Sequence, residues 1–267
     1  MERPSWAPEG VDIDKPNAAR MYDYALGGAH NFAVDRDLVR QAEQTMPGGV
    51  ARVAHANRAF LGRLVRWLVA AGVRQFLDIG SGIPTLGNVH EVAQRAAPGT
   101  RVMYVDVDPV AVAHSRLILS GNPDAEVIEG DLRRPGEILT DPTVLSTLDF
   151  NEPVAVLLVA VLHFVPDEDD PAGLVAGLVD ALAPGSYIGL SHGTDEDNDD
   201  EAATMSRLYR RTTMPLHLRS RREVLALLHG LDLVEPGLVP VADWHPDPSP
   251  EPTTPCPEML GLLARKP

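Results

Sequence analysis

Apolar side chains recur every three to four positions between residues 50 and 71, a spacing that predicts an amphipathic helix with one buried face. The pattern runs through Val53, Asn57, Phe60, Leu61, Leu64 and Leu68. Gly72 follows the last turn, where glycine commonly ends a helix. The sequence therefore predicts a long helix packed on a core that lies further along the chain.

Short apolar runs then alternate with segments of helical periodicity. The runs that predict buried strands lie at residues 75–79, 102–105, 125–129, 154–159 and 187–191. Strands separated by helices favour βαβ units and a parallel sheet. Two last strands, residues 231–234 and 259–263, have no helix between them, so they must pair antiparallel if they are adjacent. The predicted fold class is α/β, with a doubly wound, mostly parallel, seven-stranded sheet that ends in a C-terminal antiparallel hairpin.

The segment before the long helix has a helical periodicity of its own. Residues 17–45 have helical periodicity that breaks at Gly27 and Gly28, and a tail rich in proline and charge precedes them. We therefore divide the chain into an N-terminal tail and helical cap, residues 1–49, and a main domain, residues 50–267.

Composition narrows the range of partners. The chain is 44% hydrophobic and 23% charged, as is ordinary for a soluble globular protein. A net charge of −15 offers no basic face for phosphates, so nucleic acid and anionic membranes are not expected partners.

The longest apolar run, residues 154–162, is about half of the ~20 residues that span a bilayer. One cysteine, Cys256, and an N-terminus without an apolar signal core predict a cytoplasmic protein. The oligomeric state stays open.

A glycine-rich bend follows the first predicted strand. Gly80 and Gly82 allow a tight turn and a close approach of the backbone to a ligand. Dinucleotide-binding bends need a small third residue and free N–H groups, whereas Thr85 takes that position here and Pro84 lacks the donor. Asp78 stands just before the bend, where its charge repels a phosphate and attracts an ammonium group. The pattern favours a nucleoside that carries an amino acid.

Two further acids follow the next two predicted strands. Asp106 lies about 20 residues beyond the bend, where an acid binds both ribose hydroxyls. Asp131 is placed to accept a hydrogen bond from an exocyclic adenine amine, with the backbone of Leu132 beside it. Because ligands of open α/β sheets bind at the carboxyl ends of the strands, these acids and the bend predict one nucleoside site.

These motifs resemble those of class I S-adenosylmethionine-dependent methyltransferases, whose Rossmann-like sheet also has seven strands ending in an antiparallel hairpin. The segments that look like motifs I, II and III of that class are Asp78-x-Gly80-x-Gly82, Val105-Asp106-x-Asp108-Pro109 and Gly130-Asp131. Residues 20–32 and 77–91 are similar to a narrower, bacterial family of S-adenosyl methyltransferases with an unsettled acceptor. The resemblance implies that S-adenosyl-L-methionine is the cofactor, and it supplies no catalytic residue. The candidate cofactor-binding residues are Asp78, Gly80, Ser81, Gly82, Asp106, Val107, Asp131, Leu132 and His163.

Polar residues cluster around the glycine pair of the N-terminal segment. Two interpretations are open: a helix pair packed on the core, or a cap that closes over the cofactor. The candidate substrate or cap residues are Arg20, Tyr22, Asp23, Gly28 and Asn31.

Histidines at strand ends are the candidate bases. His163 follows the fourth strand, where it could bind the cofactor, act as a base or cap the strand end. His192 follows the fifth strand and is a candidate for lining the acceptor site. His30 and Tyr24 complete the candidate catalytic set.

No metal site is expected. Residues 195–200 begin like a calcium-binding loop, but Asp200 replaces the glycine of its sixth position and Ser206 replaces the glutamate of its twelfth. The zinc spacing of a helical histidine pair is absent from the sequence.

The function that these features favour is methyl transfer from S-adenosylmethionine to a small molecule. The N-terminal segment and residues 195–218 are predicted to form the acceptor pocket. Two alternatives stay open: a nicotinamide-dependent oxidoreductase, which the bend disfavours, and a non-catalytic regulatory protein that binds the cofactor or its demethylated product.

Overall fold

The computed structural model describes residues 7–8, 11–45, 49–84, 87–196, 199–248 and 254–267. Thr85 of the glycine-rich bend and Asp197 of the acidic run lie outside the described residues. The described part begins with two short helices, α1 (Ala18–Ala25) and α2 (Ala33–Thr45), which pack on each other and on α3 (Gly49–Ala70). The glycine pair separates α1 from α2, as the periodicity predicts.

The centre of the molecule is one mixed sheet. Its strands are β1 (Gln75–Ile79), β2 (Arg101–Asp106), β3 (Ala125–Glu129), β4 (Ala155–Val159), β5 (Tyr187–Gly193), β6 (Asp232–Leu233), β7 (Val239–Pro240) and β8 (Met259–Arg265). The order is β3-β2-β1-β4-β5-β8-β6, and β7 also pairs with β8. The first five strands are parallel, whereas β8 runs antiparallel to β5, β6 and β7. The predicted α/β class and the antiparallel C-terminal pairing are confirmed.

The described sheet has eight strands, one more than the sequence pattern predicts. The additional strand is β7, which pairs beside Gly261 and Leu260 of β8 through only two residues. Two residues are too few to produce an alternating pattern, and one of them, Pro240, has no backbone N–H. Two short strands, β6 and β7, therefore pair with β8 where the sequence pattern predicts one.

Helices cover both faces of the sheet. The remaining helices are α4 (Val89–Ala96), α5 (Pro109–Ile118), α6 (Pro135–Thr140), α7 (Pro142–Thr147), α8 (Pro171–Asp180), α9 (Asp199–Tyr209) and α10 (Arg221–Ala226). Alternate residues of a strand point to opposite faces, so Phe76 joins the apolar cluster beneath α3 and Leu77 joins the cluster beneath α8. Among the described residues, no helix is long and apolar enough to cross a membrane.

Candidate functional site

A cavity of about 310 Å³ lies at the carboxyl ends of β1, β2, β4 and β5, and its volume is within the ~300–1,000 Å³ range typical of ligand sites. The predicted site residues that line it are Tyr22, Asp78, Gly80, Ser81, Gly82, Asp106, Val107 and His163. The predicted candidates outside its lining are Arg20, Asp23, Tyr24, Gly28, His30, Asn31, Asp131, Leu132 and His192. The structure thus brings the first two motifs together and places the third apart.

The glycine bend is fixed against the neighbouring strand. The N–H groups of Gly80 and Ser81 both donate to the Val105 carbonyl oxygen, at 2.8 and 3.2 Å. Gly80 has φ +73°, and a Cβ there would lie 2.4 Å from Cγ2 of Val161. Only glycine meets both demands, because other residues rarely adopt this φ and the space is filled. The bend therefore exposes its backbone to the cavity at a defined position.

Asp106 ties the bend to the end of β2. Its carboxylate accepts hydrogen bonds from the N–H groups of Gly82, at 2.7 Å, and Asp108, at 2.8 Å. Burial raises the pKa of Asp106 to about 6, while these hydrogen bonds oppose the rise. A carboxylate offers about four lone-pair sites, and the Val107 backbone also contributes a hydrogen bond that lowers the pKa, so room remains for a hydroxyl donor from the cavity.

Asp78 lies on the cavity wall, and its carboxyl group makes no hydrogen bond to another described residue. Burial raises its pKa to about 7; the Arg58 guanidinium opposes this rise and the Asp106 carboxylate adds to it. Arg58, on α3, also lines the cavity, and its Nε is buried without a hydrogen-bond partner in the described part of the chain. The two side chains give the cavity a carboxyl group, which is anionic when ionised, and a cationic guanidinium group.

Arg58 is a site residue that the sequence analysis missed. Its neighbour Asn57 supplied a signal, because it is a polar residue within the apolar stripe of α3 and is almost fully buried. Asn57 donates to the Tyr22 hydroxyl at 3.1 Å and accepts from the Ser191 hydroxyl at 2.6 Å. The Tyr22 hydroxyl donates in turn to the Ala54 carbonyl at 3.0 Å. This network fixes α1, α3 and β5 around the cavity.

Arg20 acts as an anchor of the N-terminal segment. Its guanidinium pairs with Asp35 at 3.0 Å and with Asp108 at 3.3 Å, and all three side chains are buried. It also donates to the backbone carbonyls of Asp12 and Lys15. The cluster around Arg20 therefore connects the N-terminal segment to the loop after β2.

Asp23 organises the glycine break. One carboxylate oxygen accepts from Asn31 Nδ2 at 2.8 Å and from the His30 N–H at 2.9 Å. Asn31 also donates to the Gly28 carbonyl at 3.0 Å. A Cβ on Gly28 would lie 2.0 Å from the other Asp23 oxygen, so this position requires glycine. These contacts support the packed helix pair more directly than contact with a ligand.

His163 is a hydrogen-bond donor toward the cavity. Its Nδ1 accepts from the Gly193 N–H at 3.2 Å, so the ring proton of the neutral form is on Nε2. Burial, together with the neighbouring His192 and Arg219, holds the pKa of His163 well below its usual value. A neutral ring with Nε2 protonated donates a hydrogen bond there and does not accept a proton at that atom.

His192 is buried outside the cavity lining, and both of its ring nitrogens are engaged. Nδ1 donates to the Gly193 carbonyl at 2.7 Å, and Nε2 accepts from Arg219 at 3.0 Å. Burial lowers the pKa of His192 to about 4. The same guanidinium donates to the carbonyls of Leu162 and Val165, on either side of His163. The geometry gives His192 a supporting position behind His163.

Asp131 borders a second cavity, of about 230 Å³, which shares Val107 with the first. Burial raises the pKa of Asp131, but hydrogen bonds from Arg133 outweigh it and hold the pKa below its usual value. Leu132 is buried in the core beneath β3. The predicted adenine-binding residues therefore lie beside the first cavity, on the far side of Val107.

The last two candidate bases lie away from the cavity. Tyr24 packs under the Arg40 guanidinium, which is 5.7 Å from its ring centroid. His30 stacks on His114 with ring centroids 3.6 Å apart. No cluster of three or more potential metal ligands occurs in the described part of the chain.

Comparison with known proteins identifies the family of this chain. A family model described as S-adenosyl methyltransferase matches residues 4–267. A DUF574 family protein from Streptomyces avermitilis is 40% identical, with a TM-score of 0.90 over 96% of this chain and 100% of its own. A candidate methyltransferase from Thermobifida fusca is 38% identical, with a TM-score of 0.91 over 98% and 99% of the two chains.

More distant structures share only the fold. The N-methyltransferase NodS from Bradyrhizobium japonicum, in complex with S-adenosyl-L-homocysteine, is 14% identical with a TM-score of 0.52 over 93% of this chain and 99% of its own. No protein of curated function matches the sequence. The match to the family model and the two structures of high identity agree with the motifs at the cavity, and the chain belongs to the S-adenosyl methyltransferase family.

Proposed function

We propose that this S-adenosylmethionine-dependent methyltransferase acts on a small molecule bound in the cavity at the carboxyl ends of β1, β2, β4 and β5. The observation that carries the proposal is that one cavity has a polar end, with Asp78 and Asp106, and a wall from α9 and the segment after it. One end suits the cofactor and the other is free for an acceptor. The net charge of −15 disfavours a nucleic-acid acceptor.

Unpaired polar groups support binding of the cofactor at the polar end. Asp78 has no described hydrogen-bond partner, and the buried Arg58 Nε and Ser81 Oγ also have none in the described part of the chain. Buried polar atoms are usually paired, so such atoms around a cavity suit a polar ligand. We assign the aminoacyl ammonium to Asp78, the aminoacyl carboxylate to Arg58 and the ribose hydroxyls to the remaining lone pairs of Asp106.

The adenine is assigned to the crevice at Val107. This side chain is 40% exposed, which is unusual for an apolar residue so close to a core, and it borders both cavities. A flat apolar ring would cover it. Asp131 lies beyond it, and its carboxylate now binds Arg133 at 2.6 Å. Because Arg133 is more than half exposed, it can move aside for an exocyclic amine at little cost.

The bound cofactor supplies a methyl group on a sulfonium, which is already an activated donor. The protein then has to hold the acceptor and exclude water, and positioning can supply several of the ~7–11 kcal/mol available from this effect. His163 holds the acceptor through Nε2–H, and Asp78 and Arg58 hold the donor end. This assignment needs no general base where the acceptor atom carries no proton; an acceptor O–H or N–H would release its proton to water, because His163 Nε2 already carries one.

Residues 1–49 are proposed to form a cap that completes the cavity, since Asn17, Ala18, Ala19 and Tyr22 line it. We also propose a bacterial, cytoplasmic protein. The chain has a single cysteine and so forms no intrachain disulfide, and the two structures of high identity come from bacteria.

Calorimetric titration with S-adenosylhomocysteine tests the cofactor assignment. We expect micromolar binding to the wild type, loss of binding in Asp106→Ala, and unchanged binding in Asp180→Ala, which removes an exposed acid at the end of α8. NAD should not bind. Binding of NAD without S-adenosylhomocysteine would contradict the proposal, and transfer of labelled methyl groups to small molecules of a cell extract would separate an enzyme from a sensor.

A further inference from the structure

The outer end of the cavity is lined by apolar side chains from three segments. Phe164 comes from the short 3₁₀ turn after β4, and Met205 and Tyr209 come from α9. Met214 and Leu216 come from the chain that follows α9. None of these residues belongs to the cofactor motifs, so the chamber that they line is left for the acceptor.

Two of these residues form an aromatic wall. The rings of Phe164 and Tyr209 stack with centroids 5.8 Å apart and an interplanar angle of 29°. Aromatic rings prefer offset-stacked or edge-to-face contacts with one another, so a ligand ring would be held favourably against this pair. Methionine beside such a wall adapts to the outline of a ligand and makes favourable contacts with ring edges. The chamber therefore suits a planar molecule better than a branched aliphatic one.

The charges of this part of the lining are already paired. Glu258 binds the Arg52 guanidinium, and Asp108 binds Arg20. Among the described lining residues, the other charged groups are those assigned to the cofactor. A charged group on the acceptor, away from the sulfonium, would leave water without a counter-ion in the outer chamber, and that desolvation is costly. The acceptor that fits is uncharged.

Polar atoms in the chamber are few and open. His163 Nε2 and the Tyr209 hydroxyl make no hydrogen bond to any residue that the structure describes. The proton on His163 Nε2 follows from the bond that Nδ1 accepts from Gly193. Arg219 holds the 3₁₀ turn on both sides of this histidine, so the direction of the donor is fixed. An acceptor molecule therefore needs an atom that receives a hydrogen bond.

We infer that the methyl acceptor is a flat, uncharged aromatic molecule with an oxygen or nitrogen atom that accepts a hydrogen bond from His163. The inference rests on the proposed function, because the cofactor must occupy the polar end for the chamber to be the acceptor site. It names a substrate class that the family membership leaves open.

Titrations with model compounds in the presence of saturating S-adenosylhomocysteine test the three properties separately. Binding of 2-naphthol is compared with that of 2-decalol to test flatness. Binding of 2-naphthol is compared with that of 6-hydroxy-2-naphthoate to test charge. Binding of quinoline is compared with that of naphthalene to test the hydrogen bond, at a pH of about 8, where quinoline is neutral. We expect the first member of each pair to bind about tenfold more tightly or better, the ratio that ~1.4 kcal/mol produces.

Two variants locate the binding. Phe164→Leu removes one of the two rings of the aromatic wall and should weaken the binding of 2-naphthol about fivefold or more while S-adenosylhomocysteine binds as before. Phe150→Leu makes the same change in a half-buried residue away from the cavity and should leave both ligands unaffected. Equal or tighter binding of the decalol or the naphthoate would overturn the inference, as would equal losses in both variants. Absence of S-adenosylhomocysteine binding would instead overturn the proposed function itself.

Discussion

Replacing Asp78 by asparagine should stabilise the free protein at alkaline pH while it abolishes cofactor binding. Burial raises the pKa of Asp78 from 3.8 to about 7. A group with a raised pKa stabilises the fold fully below its unfolded pKa, and this contribution is lost as the pH rises through the folded pKa. At about 1.36 kcal/mol per pKa unit, the loss between pH 3.8 and pH 7 is about 4 kcal/mol. Asparagine does not titrate and avoids this loss.

Urea unfolding of the wild type and Asp78→Asn measures the effect at about pH 4 and about pH 8.5. The two proteins should have similar stability at the lower pH, and the variant should be more stable by up to about 4 kcal/mol at the higher pH. Other titrating groups are common to both proteins and largely cancel in the difference, except Asp106, whose charge contributes to the raised pKa of Asp78. A difference that does not change with pH would refute the idea that Asp78 is a buried, unpaired carboxylate. Retained S-adenosylhomocysteine binding would refute its assignment to the ammonium group.

Binding of S-adenosylhomocysteine at about pH 6.5 should release about three quarters of a proton, because Asp78 with its pKa of about 7 is mostly protonated at that pH and an ammonium group favours its ionised form. Calorimetry in buffers of different ionisation enthalpy measures this release, and the affinity should rise with pH through about 7. Gly80→Ala should cost roughly 2–4 kcal/mol in urea unfolding, because its Cβ would lie 2.4 Å from a valine carbon, whereas Gly82→Ala, with open space around it, should cost about 1 kcal/mol. Arg219→Gln should destabilise the fold by about 2–4 kcal/mol, since two backbone carbonyls lose their donors, and nitrogen NMR shifts of His192 should show loss of its fixed tautomer. An unchanged stability of this last variant would contradict the anchoring role.

The central strands could be predicted from the sequence because parallel strands buried on both faces appear as continuous apolar runs. The predicted limits of the third strand, residues 125–129, coincide with β3, and those of the first with β1. The edge beyond β8 was predicted less completely. A strand of two residues, β7, has almost no periodicity of its own and exists because β8 offers it a partner.

The polar end of the cavity could be predicted for a related reason. Asp78 and Asp106 belong to the ends of strands, and the sheet brings the ends of adjacent strands together whatever the rest of the chain does. For residues on helices, no comparable rule says which side chains will lie together. The period of α3 indicates which face is buried but not that Arg58 reaches across to β1, and Tyr209 meets Phe164 only through the tertiary packing of α9.

The N-terminal segment is better understood as part of the cofactor site than as a detachable cap. Asp108 lies between the two: its N–H donates to Asp106, one carboxylate oxygen caps α5 through Val110, and the other pairs with Arg20. Burial raises the pKa of Asp108 even with Arg20 present. Without Arg20, this carboxylate would be buried beside Asp106 with no cation, a situation that costs about 3–5 kcal/mol for buried pairs. The loop would have to rearrange or take up a proton, and either change would move the carboxylate assigned to the ribose. We therefore expect order in the N-terminal segment and occupancy of the proposed cofactor site to be coupled through this buried ion pair.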